Sequence, residues 1–255
     1  MDQKLKSKYL SIAIKLLSNN LLENKGSKEY NYLVDRVSED KFTNFSFGLF
    51  PSSNSAITNF IDEFAFLTKE DPLPILHQLN LVYETKIYKN IHIFFKDHPI
   101  LIPFHDVYGN PVSIVGRTIL SEDKQKELKI SKYKHLPFEK GKHLYGLNYT
   151  YRNIIKKDHI VAVEGQFDFI AGYTNGIDNI VCVAGSKFTF DHICLLKRFT
   201  NNFYVLLDND EAGNDGWEKI NKHKTKFNLN VKRLSIPEQY KDLDLYIKDG
   251  NTLNI

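Results

Sequence analysis

Along the first ninety residues the apolar positions recur three and four apart. LKSKYLSIAIKLLSNNLLEN, near the start, sets Leu5, Ile12 and Leu16 at helical spacing, and the helix is expected to stop near Gly26. A second short helix is expected at KEYNYLVDR and a third at NSAITNFIDEFAFL, capped by Asn54 or Ser55. Between them SFGLFP reads as a turn and extended chain. From Ile100 the period shortens: ILIPFHDVYGNPVSIVGR offers two extended runs about a turn at Tyr108, Gly109 and Asn110, a β-hairpin. The lysine-rich stretch 121–143 then reads as a long exposed connection or a basic surface, and HLYGLNYT closes this half.

After about residue 155 the pattern changes again. IVAVEG, NIVCVAG, NFYVLLDND and NVKRLSIP are short, apolar, β-branched runs, separated by the helix-like FDFIAGYT, FDHICLLKRF and DGWEKINKHKTKF. Continuous apolar strands alternating with helices imply a largely parallel sheet covered on both faces. The expected fold class is therefore α/β (α+β overall). A mainly helical domain with a basic, hairpin-containing region occupies 1–155, and a doubly wound sheet occupies 156–255.

Composition narrows the setting. A 42% hydrophobic chain of 255 residues can bury real cores. The net charge of +3 conceals an uneven distribution: from Arg117 to Lys157 eleven basic residues face four acidic ones (+7), while Asp158 to Trp217 holds nine acidic against three basic (−6). Cys182 and Cys194 have no CxxC or Cys/His spacing, so neither zinc nor a disulfide framework is expected, and the compartment reads as reducing. No apolar run approaches the roughly 20 residues of a membrane span, and the lysine-rich start lacks a signal-peptide core. A cytoplasmic protein with no membrane partner is expected, in the host cytoplasm if its origin is viral.

The acidic residues carry the chemistry. In a parallel sheet the functional crevice lies beyond the carboxyl ends of the strands, and Glu164 and Asp208 end two separate apolar runs. Asp168 follows in the first helical turn after Gly165, and Asp210 completes a DxD. If the two strands are neighbours, four carboxylates share one rim and repel unless a cation sits among them; Mg²⁺, which favours oxygen ligands and retains water and phosphates, resolves the conflict. Taken singly, a DxD is a solvated turn, Asp168 a helix-dipole partner and a lysine run a solvated face. ExxxD after one strand and DxDxxG after another, some forty residues on, is far more specific. His105, His135, His143 and His192 have no spacing that implies metal and read as structural.

These motifs resemble the TOPRIM domain, and more specifically the catalytic core of bacterial and phage DnaG-type primases. Val163-Glu164-Gly165-Gln166-Phe167-Asp168 is similar to the family's VEGYxD, and Asp208-Asn209-Asp210-Glu211-Ala212-Gly213 to its DGDxAG, with Asn209 where the family often has glycine. IPFHDVYGNPVSIVGRT and KYKHLPFEKGKHLYGL resemble PIxDxxGxxxGFxGR and KYLNSP...KGxxLYGL. KDLDLYIKDG resembles DPDxYL, with Leu243 in place of proline. The resemblance implies a TOPRIM sheet with Glu164, Asp208 and Asp210 as catalytic metal ligands and Asp168, Asp242 and Asp244 completing the ion site, for Mg²⁺ with Mn²⁺ as a substitute. Arg117, Lys132, Lys140 and Lys142 would contact nucleic-acid or nucleotide phosphates. DnaG-type primases usually carry a zinc-binding and a helicase-binding domain; neither is expected here, so the resemblance implies a minimal phage- or plasmid-like form.

The implied function is DNA-directed RNA primase, a nucleotidyltransferase in DNA replication that joins NTPs on a single-stranded DNA template, with a replicative helicase or a separate initiation factor as partner. Two alternatives remain at this point. A TOPRIM nuclease would use the same carboxylates to cut a phosphodiester, and a catalytically inactive replisome accessory would only bind single strands.

Overall fold

The computed structural model describes residues 1–85, 90–185 and 188–253. It divides into two compact units: Met1–Phe104 with Asn110–Phe138, and His105–Gly109 with Glu139–Ile255.

The first unit runs α1 (Gln3–Glu23), α2 (Lys28–Val34), α3 (Phe42–Phe45), β1 (Gly48–Leu49), α4 (Asn54–Thr68), α5 (Pro72–Gln78), β2 (Val82–Glu84), β3 (Ile91–Ile93), β4 (Ile100–His105), β5 (Pro111–Arg117), α6 (Glu122–Leu128) and β6 (Tyr133–His135). Asp2 caps α1 by accepting from the N–H of Leu5. The face of α1 that goes inward is Leu10, Ala13, Ile14, Leu17 and Leu21, and Leu5 stays on its exposed side. Helix α4 is capped by Ser53, whose hydroxyl accepts from Ala56, and not by Asn54 or Ser55. Ser53 is the last residue with extended backbone, so only its side chain can reach that N–H.

Two extended runs do form a hairpin, β4 and β5, in a four-stranded sheet of order β1-β4-β5-β6. Every residue of β5 is buried. The lysine-rich stretch is more ordered than its polarity suggested. Ser121 caps α6, and Tyr133–His135 pairs antiparallel with β5, Tyr133 opposite Arg117. The charges of α6 face water, whereas Lys134 of β6 lays its ammonium over the Phe94 ring at 3.7 Å.

The second unit contains α7 (Leu147–Lys157), β7 (Ile160–Val163), α8 (Gln166–Thr174), β8 (Ile180–Cys182), α9 (Phe190–Leu196), β9 (Asn202–Val205), α10 (Glu211–Phe227), β10 (Asn230–Arg233) and α11 (Leu243–Lys248). Its four strands are all parallel, in the order β10-β9-β7-β8. Ile160, Ala162, Val181, Phe203, Val205 and Val231 line its core together with Leu147 and Ile154 of α7. Tyr145 exchanges two backbone hydrogen bonds with Cys182 at 2.8 and 2.9 Å. HLYGLNYT thus packs with the wound sheet, so the compact units part at 138/139 although the hydrophobic period changes only near 155.

Candidate active site

Strands β7 and β9 are immediate neighbours, with Ala162 opposite Val205. The N–H of Leu206 donates to the Ala162 carbonyl at 2.9 Å. Glu164 stands two residues beyond Ala162, and Asp208 three beyond Val205. The condition on which the acidic cluster depended is therefore met, and the effect of crowding is visible. Burial, then Asp208, then Asp210 push the Glu164 carboxyl up to about 7, against a backbone N–H of Asp208 and the Lys241 ammonium. Lys241 carried no motif signal in the sequence; it is drawn in because it immediately precedes the DLD element. One carboxylate oxygen of Glu164, Oε2, is buried with no hydrogen-bond partner.

The spacing of DxDxxG has a local explanation. Asp208 follows the strand; Asp210, with extended backbone, caps α10 by accepting from the N–H of Gly213 at 2.9 Å. Gly213 is confined by the same turn, since a β-carbon there would lie 2.1 Å from the Asp208 carbonyl oxygen. Asn209 fits where the family favours glycine because its amide points outward, donating to the Tyr240 carbonyl at 2.8 Å, while its own N–H donates to Lys241 at 2.9 Å. The DxD loop is thereby tied to the segment that delivers Asp242.

Asp168 is placed differently from an open ligand. It is 7% exposed, and its two oxygens accept from the N–H of Gly165 at 3.0 Å and of Asp244 at 2.9 Å. It brackets the start of α8 to the start of α11, and burial followed by the Asp242 charge pushes it up to about 8. Asp242 caps α11 through the Leu245 N–H, and Asp244 is buried in the first turn. Among the described residues no group of three or more His, Cys, Asp or Glu stands in a ligating arrangement. Asp168 commits both oxygens to backbone N–H groups, whereas Asp210 and Asp242 commit one each. What fits a divalent cation is the donor chemistry at the β7/β9 rim: an unpartnered carboxylate oxygen on Glu164 beside two further aspartates that hold its proton affinity up.

Of the basic candidates, Lys140 and Lys142 lie in this unit. Lys142 pairs with Glu139 at 2.6 Å on the surface. Lys140 is half-buried; burial pulls its pKa down, while Cys182 and Glu164 oppose the shift. Arg117 and Lys132 belong to the first unit. Arg117 is 7% exposed, and its Nε and Nη2 donate to the Tyr32 hydroxyl at 3.1 and 2.7 Å. Its guanidinium lies 4.8 Å from the Tyr133 ring centre, and that of Arg36 lies 4.8 Å from the Tyr32 ring. Tyr32 and Arg36 were not singled out in the sequence, where KEYNYLVDR reads only as a helix. Lys132 is exposed.

Comparison with known proteins decides the family. The family described as DNA primase catalytic core, N-terminal domain, matches residues 16–151, more than half of the chain, and a Toprim-like family matches residues 161–247. The chain belongs to the DNA primase catalytic-core family. A DNA primase of Synechococcus elongatus is 29% identical over 212 residues, 80% of this chain and 29% of that protein. One of Aquifex aeolicus is 29% identical over 238 residues, 90% of this chain and 44% of that protein. The chain thus spans less than half the length of these relatives. The crystal structure of the Aquifex aeolicus primase zinc-binding and RNA polymerase domains superposes with a TM-score of 0.79 at 24% identity, over 98% of this chain and 59% of that one. That likeness establishes the fold. No described helix is long and apolar enough to cross a membrane.

Proposed function

We propose that this chain is the catalytic core of a DNA-directed RNA primase, which joins ribonucleotides on a single-stranded DNA template. The observation that carries the reading is the Glu164 carboxyl, with one oxygen buried and unpartnered and its proton affinity raised first by burial and then by Asp208 and Asp210 across the β7/β9 pair. Glu164, Asp208 and Asp210 would hold Mg²⁺, or Mn²⁺ in its place, with Asp242 and Asp244 nearby on α11. A cation held there would supply positive charge against that developing on the phosphates when a 3′-hydroxyl attacks the α-phosphate and pyrophosphate leaves. Asp168 has the different task of fixing α8 to α11, so that the two acidic segments keep their spacing. Arg117 and Lys132 supply phosphate contacts that position a strand without reading its sequence. A helicase or initiation factor would act through surfaces outside this site.

The test is incubation with single-stranded DNA, labelled NTPs, a dinucleotide primer and Mg²⁺. Extension of labelled RNA supports the reading; loss of labelled DNA instead would assign the site to a nuclease, and binding with neither would make the chain an accessory. Arg117→Ala and Lys132→Ala are expected to weaken single-strand binding, each lowering the salt slope of log K by about 0.7 for one lost phosphate contact. Titrations at several salt concentrations check this, and unchanged slopes return both residues to a structural role.

A further inference from the structure

Helix α9 holds a side chain that no part of the proposed chemistry uses. His192 is 1% exposed, in the first turn after the cap residue Thr189. Its Nε2 lies 2.9 Å from the carbonyl oxygen of His143 and 3.2 Å from that of Lys140. On the other side of the ring, Nδ1 is 3.4 Å from the backbone N–H of Thr189. Two carbonyls need a donor and one N–H needs an acceptor, which fixes the neutral ring with its proton on Nε2. Thr189 adds a second link, its hydroxyl donating to the Gly141 carbonyl at 2.5 Å. The approach is close enough that a β-carbon on Gly141 would stand 3.0 Å from Thr189 Cγ2. The start of α9 therefore grips three carbonyls of the single 3₁₀ turn Lys140–Lys142 and the residue after it.

That turn presents Lys140. Its ammonium nitrogen lies 3.3 Å from where a β-carbon on Gly185 would be, and the N–H of Gly185 donates to the Glu164 carbonyl at 3.1 Å. Lys140 is in this way held beside the loop that follows β8, next to the catalytic rim. A lysine side chain has four rotatable bonds and loses much freedom when fixed, so the backbone that carries it must be held first. We infer that His192 and Thr189 are positioning residues, which clamp the Lys140 turn so that its ammonium meets the triphosphate of an incoming nucleoside triphosphate.

The inference rests on the primase reading and is tested against it. Primed extension is measured as a function of NTP concentration for the wild type, Lys140→Ala, His192→Ala and the double variant, with Thr189→Val as a second probe of the clamp. His192→Ala is expected to raise KM for NTP about fivefold or more, with a smaller change in kcat. In the Lys140→Ala background the same substitution should add little, because the two act as one unit. His192→Gln, which keeps an N–H donor near Nε2, should recover most of the loss. Thr189→Val removes the hydroxyl at nearly constant volume and should raise KM in the same non-additive way, which keeps the test open if His192→Ala does not fold. Effects of His192 and Lys140 that multiply in the double variant would overturn the clamp, as would an unchanged KM in both His192→Ala and Thr189→Val. A wild type that extends no primer overturns the primase reading and this inference with it; an active wild type with independent effects overturns the clamp alone.

Discussion

Replacing Glu164 with glutamine is expected to abolish primer extension while making the metal-free protein slightly more stable. The two effects share one cause. At pH 8 the wild-type carboxylate is charged, partly buried, and set against Asp208 and Asp210, which is why its proton affinity stands at about 7. Glutamine keeps the shape and removes the charge. Relief of that repulsion, discounted for the solvent that reaches this half-buried group, is worth on the order of 1 kcal/mol. For a chain of this size that raises the thermal midpoint by about 2–4 °C. On the primase reading proposed above, the same charge is what a bound cation would need, and losing one anionic ligand would lower kcat by at least about 10³-fold. Extension assays and thermal melts in EDTA measure both. A variant as active as the wild type, or one that melts lower in EDTA, would remove Glu164 from the place given to it. Gain of stability with loss of activity is the signature of a site that holds like charges together for a purpose.

Much of this site was legible in the sequence because it depends on local patterns. Three apolar runs ending in Glu164, Cys182 and Asp208, with a more polar fourth around Val231, specify strands, and a parallel sheet has few ways to order them. DxDxxG encodes its own turn: a strand-end aspartate, a cap and a glycine close to the carbonyl of the first. What the sequence hid is of another kind. Asp168 reads as one more ligand, yet its partners are backbone N–H groups 3 and 76 residues away, and no spacing reports a hydrogen bond to Asp244. Tyr32 and Lys241 sit in ordinary polar stretches and acquire meaning only when Arg117 and Glu164 are brought to them. His192 was read as structural, which is correct for its burial but says nothing of the lysine turn it holds. The charge run at 121–143 left open an exposed connection or a basic surface, since a polar helix and a half-buried edge strand have much the same composition as a loop.

In the absence of divalent cation the protein is expected to lose stability as pH rises from 6.5 to 8.5. Asp168 and Glu164 have folded-state values of about 8 and about 7, against ordinary values of 3.8 and 4.5. Between those limits the folded protein retains protons that the unfolded chain has already released, so each rise in pH favours unfolding. The contribution is whole below about pH 4 and is lost as pH passes through 7 and 8. At about 1.4 kcal/mol per tenfold change in proton affinity, with the Glu164 share discounted for solvent, the loss is on the order of several kcal/mol and about 10 °C in the midpoint. Surface carboxylates held low by neighbours, Glu39, Asp40 and Glu139, act with the opposite sign, but their effect is complete near pH 5; His98, His105 and His192, pulled down by burial, also act with the opposite sign, and theirs is complete near pH 6.5. Mg²⁺ should restore the midpoint at pH 8.5 and do little at pH 5.5, because it binds the deprotonated carboxylates of the folded state. Glu164→Gln should flatten part of the pH slope and most of the Mg²⁺ response. A midpoint that rises between pH 6.5 and 8.5 in EDTA, or a Mg²⁺ response of equal size at pH 5.5 and 8.5, would mean that these carboxylates do not share a rim.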